Sequence, residues 1–302
     1  MHKILSAHEA DFAKSSLFSS LASHPGLIDA LRAQACKLLA TAQTHPRAAS
    51  IMATHQRYLM AHLAMSMYVR SGRTGIHVAA FLDAVEQHGI VSRNTADAFI
   101  KEMEHYRIIE RKVSPSDKRL KPVVLTQETL DLARHWHIVH FETLDALDGG
   151  ERGTRFRAEP GLFDEVQPLV CETLMKSIGI SQAAPTFSLF VWIDDGSVIL
   201  DRIFSEILPP DNSDPRWRTS GHHSIASLAQ LAGLSVTHLS RKFAQAMRLE
   251  SIGWTGRPGR SPLWISQNFF DEYLSYQIAK LMMLEAALNR TIHSAGILHP
   301  RK

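Results

Sequence analysis

The sequence predicts a mainly α-helical chain with small β-hairpins, arranged as an internal repeat, and three observations carry that prediction. Apolar residues recur at the three-and-four spacing of a helix over most of the 302 residues. Two short runs rich in β-branched and aromatic residues, each folded about a polar turn, interrupt the helices. The order of elements around the first hairpin then returns around the second.

The elements follow in order. Leu27 to Leu39 places Leu27, Leu31, Cys36 and Leu39 at helical spacing, and Ile51 to Val69 is a longer apolar helix. His77 to His88 forms another, stopped by Gly89, and a polar-started helix runs from Ser92 to His105. Ile108 to Val113 and Val123 to Leu125 are strand-like runs joined through Ser114-Pro115-Ser116-Asp117. Thr126 is placed to cap a further helix that reaches Leu147. Residues 151–161, rich in glycine and charge and ending in Pro160-Gly161, read as a linker between domains 1–150 and 162–302.

Helices from Leu162 to Ile178 and Ser197 to Leu208 follow, then a proline-rich break from Pro209 to Pro215. Ser224 to Leu231 and Ser235 to Met247 are helices separated by Gly233. A hairpin from Ile252 to Ile265 precedes a long helix from Ser266 to Leu288. Phe187 to Ile193 fits a strand and a helical turn equally well. A shift of 143 lays Ser92 on Ser235, Ile100 on Phe243 and Ile109 on Ile252. Past the hairpin a shift of 140 lays Leu125-Thr126-Gln127 on Ile265-Ser266-Gln267.

Composition narrows the class. With 45% hydrophobic and 21% charged residues the chain is ordinary for a globular protein and long enough for two cores. No run reaches the roughly 18 apolar residues of a membrane span, and the N-terminus lacks the apolar core of a signal peptide. Cys36 and Cys171 stand alone in apolar helical stretches, which suits burial in a reducing cytosol. An oxidant-sensing role for Cys36 is the alternative. These features point to the cytosol of a bacterium.

The net charge of +3 is slight, but its distribution is uneven. Arg111, Lys112, Lys118, Arg119 and Lys121 cluster in the first hairpin. Arg241, Lys242, Arg248, Arg257 and Arg260 cluster at the matching place in the repeat. Each cluster follows a bracing helix, a tight turn and a second helix with a small, polar N-terminal face, the layout of a winged helix-turn-helix. The first reader opens Ser92-Arg93-Asn94-Thr95, and the second presents Thr237, His238, Ser240, Arg241 and Lys242. Such residues hydrogen-bond base edges and phosphates. Arg257 and Arg260, on a Gly/Pro tip, suit a narrow minor groove.

The first hairpin, IERKVSPSDKRLKPVVLT from Ile109 to Thr126, resembles the wing of MarR-type regulators. The shared features are Arg111 at the strand end, Ser114-Pro115 in the turn, Asp117-Lys118-Arg119 at the tip, and Leu125-Thr126 before the next helix. The resemblance covers Ile76 to Leu130 and implies that Arg119 enters the minor groove while Asp117 steadies the wing. The single domain and helical dimerisation usual in that family leave the second half unaccounted for. There, Leu228 to Phe243 resembles the first helix-turn-helix of AraC-type regulators, but nothing after Gly253 supplies those proteins' second such motif.

Catalytic and cofactor chemistry finds no motif. There is no phosphate-binding glycine loop, no nucleophile elbow and no paired-carboxylate pattern. His137 and His140 share a helix face, but no further ligand stands at metal spacing, so packing is the expected role. The sequence therefore predicts a non-enzymatic, sequence-specific double-stranded DNA-binding transcriptional regulator of the nucleoid, without cofactor or metal. Its expected target is a pseudo-palindromic operator. The alternative is an interaction module in which one winged helix no longer binds DNA. Homodimerisation and a small-molecule effector stay open.

Overall fold

The computed structural model describes residues 16–49, 54–113, 121–176, 186–191, 196–208 and 216–298. It is mainly helical, with small antiparallel sheets. The chain divides into two compact units that are not its successive halves. Unit I takes Met1–Thr54 with Gly179–Lys280, and unit II takes His55–Ile178 with Leu281–Lys302.

Unit I opens with α1 (Ser16–Ala22), α2 (Leu27–Thr44) and α3 (Pro46–Ala49). Unit II supplies α4 (His55–Arg70), α5 (Val78–Gln87), α6 (Arg93–His105), β1 (Ile109–Arg111) and β2 (Val123–Leu125). It continues with α7 (Gln127–Asp148), α8 (Arg152–Ala158) and α9 (Leu162–Lys176). The chain then returns to unit I with α10 (Ser188–Val191), α11 (Gly196–Ser205), β3 (Trp217–Thr219), α12 (Ile225–Leu231) and α13 (Val236–Arg248). After β4 (Ile252–Trp254) and β5 (Leu263–Ser266), α14 (Gln267–Leu298) begins in unit I and ends in unit II.

The expected linker is corrected by the structure. Residues 152–158 form α8, because their charges and their aromatic ring are consumed by packing. Arg152 donates to Asp148 at 2.6 Å, to Glu285 at 2.8 Å and to Asp145 at 3.1 Å. Phe156 is wholly buried, stacked on His137 at 5.5 Å and tilted against Phe141 at 5.1 Å. A glycine-rich, charged composition describes a solvated strand of chain only while those charges face water.

In unit II, α4 packs against α9, α5 against α6, and α7 against α8. His137 sits at 0% exposure among Phe156, Phe163 and Phe141, and its Nδ1 bonds the Ala133 carbonyl at 2.8 Å. His140 likewise bonds the Trp136 carbonyl through Nδ1 at 2.7 Å. Both histidines are core residues. Among the described residues, no three metal-ligating side chains converge.

In unit I, α2 packs along α11, and α13 lies against α12 and β4. Phe204 stacks on Tyr273 with centroids 3.4 Å apart. Phe243 stands between Phe190 at 5.5 Å and Trp254 at 5.6 Å. The undecided stretch after Phe187 contains the short helix α10, whose first turn is held by Glu272. That carboxylate accepts from Thr186 Oγ1 at 2.6 Å and from the Phe187 amide at 2.9 Å. Strand β3, not expected from sequence, gives a three-stranded sheet in the order β3-β5-β4.

Both second helices end on a non-glycine residue in left-handed backbone. These residues are Arg107 at φ 57° after α6 and Glu250 at φ 51° after α13. L-residues are strained there by about 1–2 kcal/mol and glycine is not. Arg107→Gly and Glu250→Gly are each expected to raise stability by about 1 kcal/mol, seen as a higher urea midpoint with unchanged slope.

Candidate nucleic-acid interface

Each unit builds the same local frame from the same backbone bonds. In unit II, Gly89 at φ 65° turns the chain after α5, and the Ile90 amide bonds the Val85 carbonyl at 3.1 Å. Ser92 then caps α6, its Oγ accepting from the Thr95 amide at 3.3 Å. In unit I, Gly233 at φ 64° turns the chain, and the Leu234 amide bonds the Ala229 carbonyl at 2.9 Å. Ser235 caps α13 by accepting from the His238 amide at 3.1 Å.

The hairpins follow in the same register. Ile109 pairs with Leu125 and Ile252 with Ile265. The Thr126 amide bonds the Ile108 carbonyl at 3.1 Å, and the Ser266 amide bonds the Ser251 carbonyl at 2.9 Å. A third extended segment joins each hairpin. Ile76 bridges Val123 in unit II, and Ser220 donates to Leu263 at 2.7 Å in unit I. The two hairpins fall on the offsets of 143 and 140 read from the sequence, and the third segment is offset by 144.

The electrostatics of the two frames differ. On α6, Arg93 is ion-paired with Asp83 and lies 3.9 Å from Glu86, both on the preceding helix. Lys101 pairs with Asp97 at 2.6 Å, and Arg111 pairs with Glu104 at 2.9 Å. Arg57 closes on Glu102 through two bonds of 2.8 and 3.0 Å. The Ser92 and Thr95 hydroxyls share one hydrogen bond of 2.9 Å, and Asn94 beside them is exposed. Lys112 and Lys121 are exposed at the base of the hairpin. Lys118 and Arg119 lie outside the described residues, as do Ser114, Pro115 and Asp117.

Unit I presents the opposite balance. Helix α12 contains no charged residue, and α13 carries Arg241, Lys242 and Arg248 without a carboxylate. Arg241, Arg248, Arg257 and Arg260 are exposed and Lys242 half-exposed, and none has an ion pair among the described residues. Thr237 and His238 are exposed and Ser240 half-exposed on the same helix. Val236, the first residue of the helix, is 49% exposed, as Met247 is at 44% near its other end. Arg248 and Val236 are absent from the set of reader and wing-tip residues expected from sequence; the first was legible as charge, the second only once the buried face of α13 is known.

The turn between β4 and β5 is built to hold its arginines outward. The Gly256 amide donates to Ser261 Oγ and that hydroxyl donates to the Arg257 carbonyl, both at 3.0 Å. The Arg260 amide closes onto the Arg257 carbonyl at 3.0 Å. Gly259, at φ 73°, lets the tip approach Ser224, the cap of α12. Trp254 ties the hairpin to the residue before that cap by donating from Nε1 to the His223 carbonyl at 2.9 Å. Gly253 faces Trp264 so closely that a Cβ there would lie 2.6 Å from the indole.

Other polar clusters are structural. Ser220, His223 and Glu206 resemble a catalytic trio by type alone. Both neighbours meet the same nitrogen, His223 Nε2, at 3.0 and 3.6 Å, and Ser220 spends its proton on the Ile203 carbonyl at 2.6 Å. Burial lowers the pKa of His223, against the pull of Glu206. Burial likewise raises the Asp201 carboxyl and lowers the Lys280 ammonium, each opposed by the charge of the other. Cys36 is exposed, contrary to the burial expected of it, since it falls on the solvent side of α2. Cys171 is buried, with its thiol pushed up to about 11 by desolvation. An apolar hollow of about 10 Å³ in unit I, lined by Leu31, Phe204, Phe270 and Tyr273, is far below the roughly 300 Å³ of ordinary ligand sites.

No family model matches the chain, and neither a curated protein nor a solved structure matches it.

Proposed function

We propose that the chain is a sequence-specific, double-stranded-DNA-binding transcriptional regulator built from two winged helix-turn-helix units. The observation that carries this reading is the set of cations on α13 and the β4–β5 turn of unit I. They are not ion-paired among the described residues, and the helix opens with the capping Ser235 and the exposed Thr237 and His238. A helix of that kind fits the major groove, and an arginine-bearing hairpin tip fits the adjacent minor groove, where negative potential is concentrated. The repeated caps, turns and hairpin registers support two such frames in one chain, and the MarR-like wing motif supports the first of them. On this reading the protein works at the nucleoid of a bacterial cytosol, on a pseudo-palindromic operator.

The test is binding to genomic fragments as a function of salt. Arg257→Ala with Arg260→Ala is expected to weaken binding severalfold or more. It should also flatten the dependence of log affinity on log salt by roughly 1 to 2, since each lost phosphate contact removes about 0.9 of slope. Absence of any preferred fragment at moderate salt would overturn the reading.

A further inference from the structure

We propose that reading of the major groove belongs to unit I alone: α13 reads it through Val236, Thr237 and Arg241, while α6 of unit II contacts no base. The inference rests on the DNA-binding reading above and assigns it within the chain. Two frames with matching backbone bonds would read DNA alike if geometry decided, so the difference lies in charge. A phosphate approaching α6 meets Asp83, Glu86, Asp97 and Glu104, the carboxylates that already hold Arg93, Lys101 and Arg111. Like charges a few ångströms apart repel, and an arginine held by a carboxylate must give up that contact to reach a guanine edge. The Ser92 and Thr95 hydroxyls share one hydrogen bond, and Asn94 is the exposed amide there.

On α13 no carboxylate competes, and α12 beneath it is uncharged. Arg241 is free to make the bidentate contact to a guanine that arginine geometry favours. Val236 gains nothing from water, whereas the C5-methyl of thymine in the major groove is the apolar partner that a side chain at a reader's N-terminus meets. One chain therefore specifies one half-site containing a G·C pair and a T·A pair, and a second half-site requires a second copy. Lys112 and Lys121 of unit II are left to touch phosphates without sequence information.

The experiment selects bound duplexes from a randomised 20-base-pair library with the full-length protein, then repeats the selection with variants. Arg241→Ala is expected to lower affinity for the selected duplex on the order of tenfold or more and to erase preference at one base pair. Replacing each thymine of that duplex in turn with deoxyuridine, which lacks the methyl, should weaken the wild type at one position and leave Val236→Ser indifferent there. Asn94→Ala with Thr95→Ala should leave the selected sequence unchanged and its affinity within about twofold. An equal loss of preference in the α6 variant, or a thymine effect that survives in Val236→Ser, overturns this assignment while leaving DNA binding itself intact. Failure to enrich any sequence overturns the DNA-binding reading instead. All substituted side chains are exposed, so unchanged urea midpoints certify that the variants fold.

Discussion

Phe243→Ala is expected to remove about 3–5 kcal/mol from the stability of unit I, the range for emptying a buried aromatic site. Phe243 is at 0% exposure, and its ring meets Phe190 edge-on and Trp254 in a stack. Those two contacts join α13 to α10 and to β4, so the substitution loosens the helix that carries the reader residues and the strand that leads to the arginine tip. The loss should register as a lowered urea midpoint and, under the proposed function, as lost DNA binding near that midpoint. Arg241→Ala supplies the contrast, with binding lost at unchanged stability. A fall of less than about 1 kcal/mol for Phe243→Ala would mean that the ring does not organise the unit.

A second large effect is expected in acid. Burial lowers His137 from its ordinary value to about 4, and its bond to the Ala133 carbonyl only partly offsets this. Once unfolded, the imidazole takes up a proton near pH 6.5, whereas in the folded core it stays neutral until about pH 4. The unfolded chain therefore binds more protons throughout that window, and stability falls as pH drops from 6.5 to about 4 and levels off below. The gap corresponds to roughly 3 kcal/mol from this one residue. Denaturation midpoints measured between pH 7 and pH 4 should show the decline, and His137→Leu should flatten it. His55 is shifted the same way by burial, so a residual slope is expected in that variant. An undiminished slope would count against a neutral His137 in the core.

Much of the local architecture was legible in the residues. The capping serines Ser92 and Ser235, the turn glycines Gly89 and Gly233, and the hairpin registers follow from short-range chemistry. Sequence spacing reports such chemistry directly. What failed was non-local. Residues 151–161 looked solvated because the partners of Arg152 include Glu285, 133 positions away. The boundary between units was invisible for the same reason. Strand β3 escaped notice because Trp217-Arg218-Thr219 is too short to show alternation, and its pairing with β5 is fixed by distant residues.

The candidate interface was legible as residue types but not as balance. Arg93 and Arg241 look equivalent in sequence, each a cation on the exposed side of a capped helix. Only the placement of Asp83 and Glu86 on α5, against the uncharged α12, separates them. The first hairpin carried the more specific motif. The second frame carries Arg241, Lys242, Arg257 and Arg260, which make no ion pair among the described residues.

The interrupted course of unit I bears on how the protein is made. Helix α2 presents Leu27, Leu31 and Leu39 to a core whose other wall, α11, begins at Gly196. At the roughly 5–20 residues per second of ribosomal elongation, that wall follows by some ten to thirty seconds. Throughout that interval most of unit II can leave the ribosome and fold, while the apolar stripe of α2 has no native partner. The nascent chain should accordingly engage a holding chaperone through this early helix and release it only after α11 has emerged.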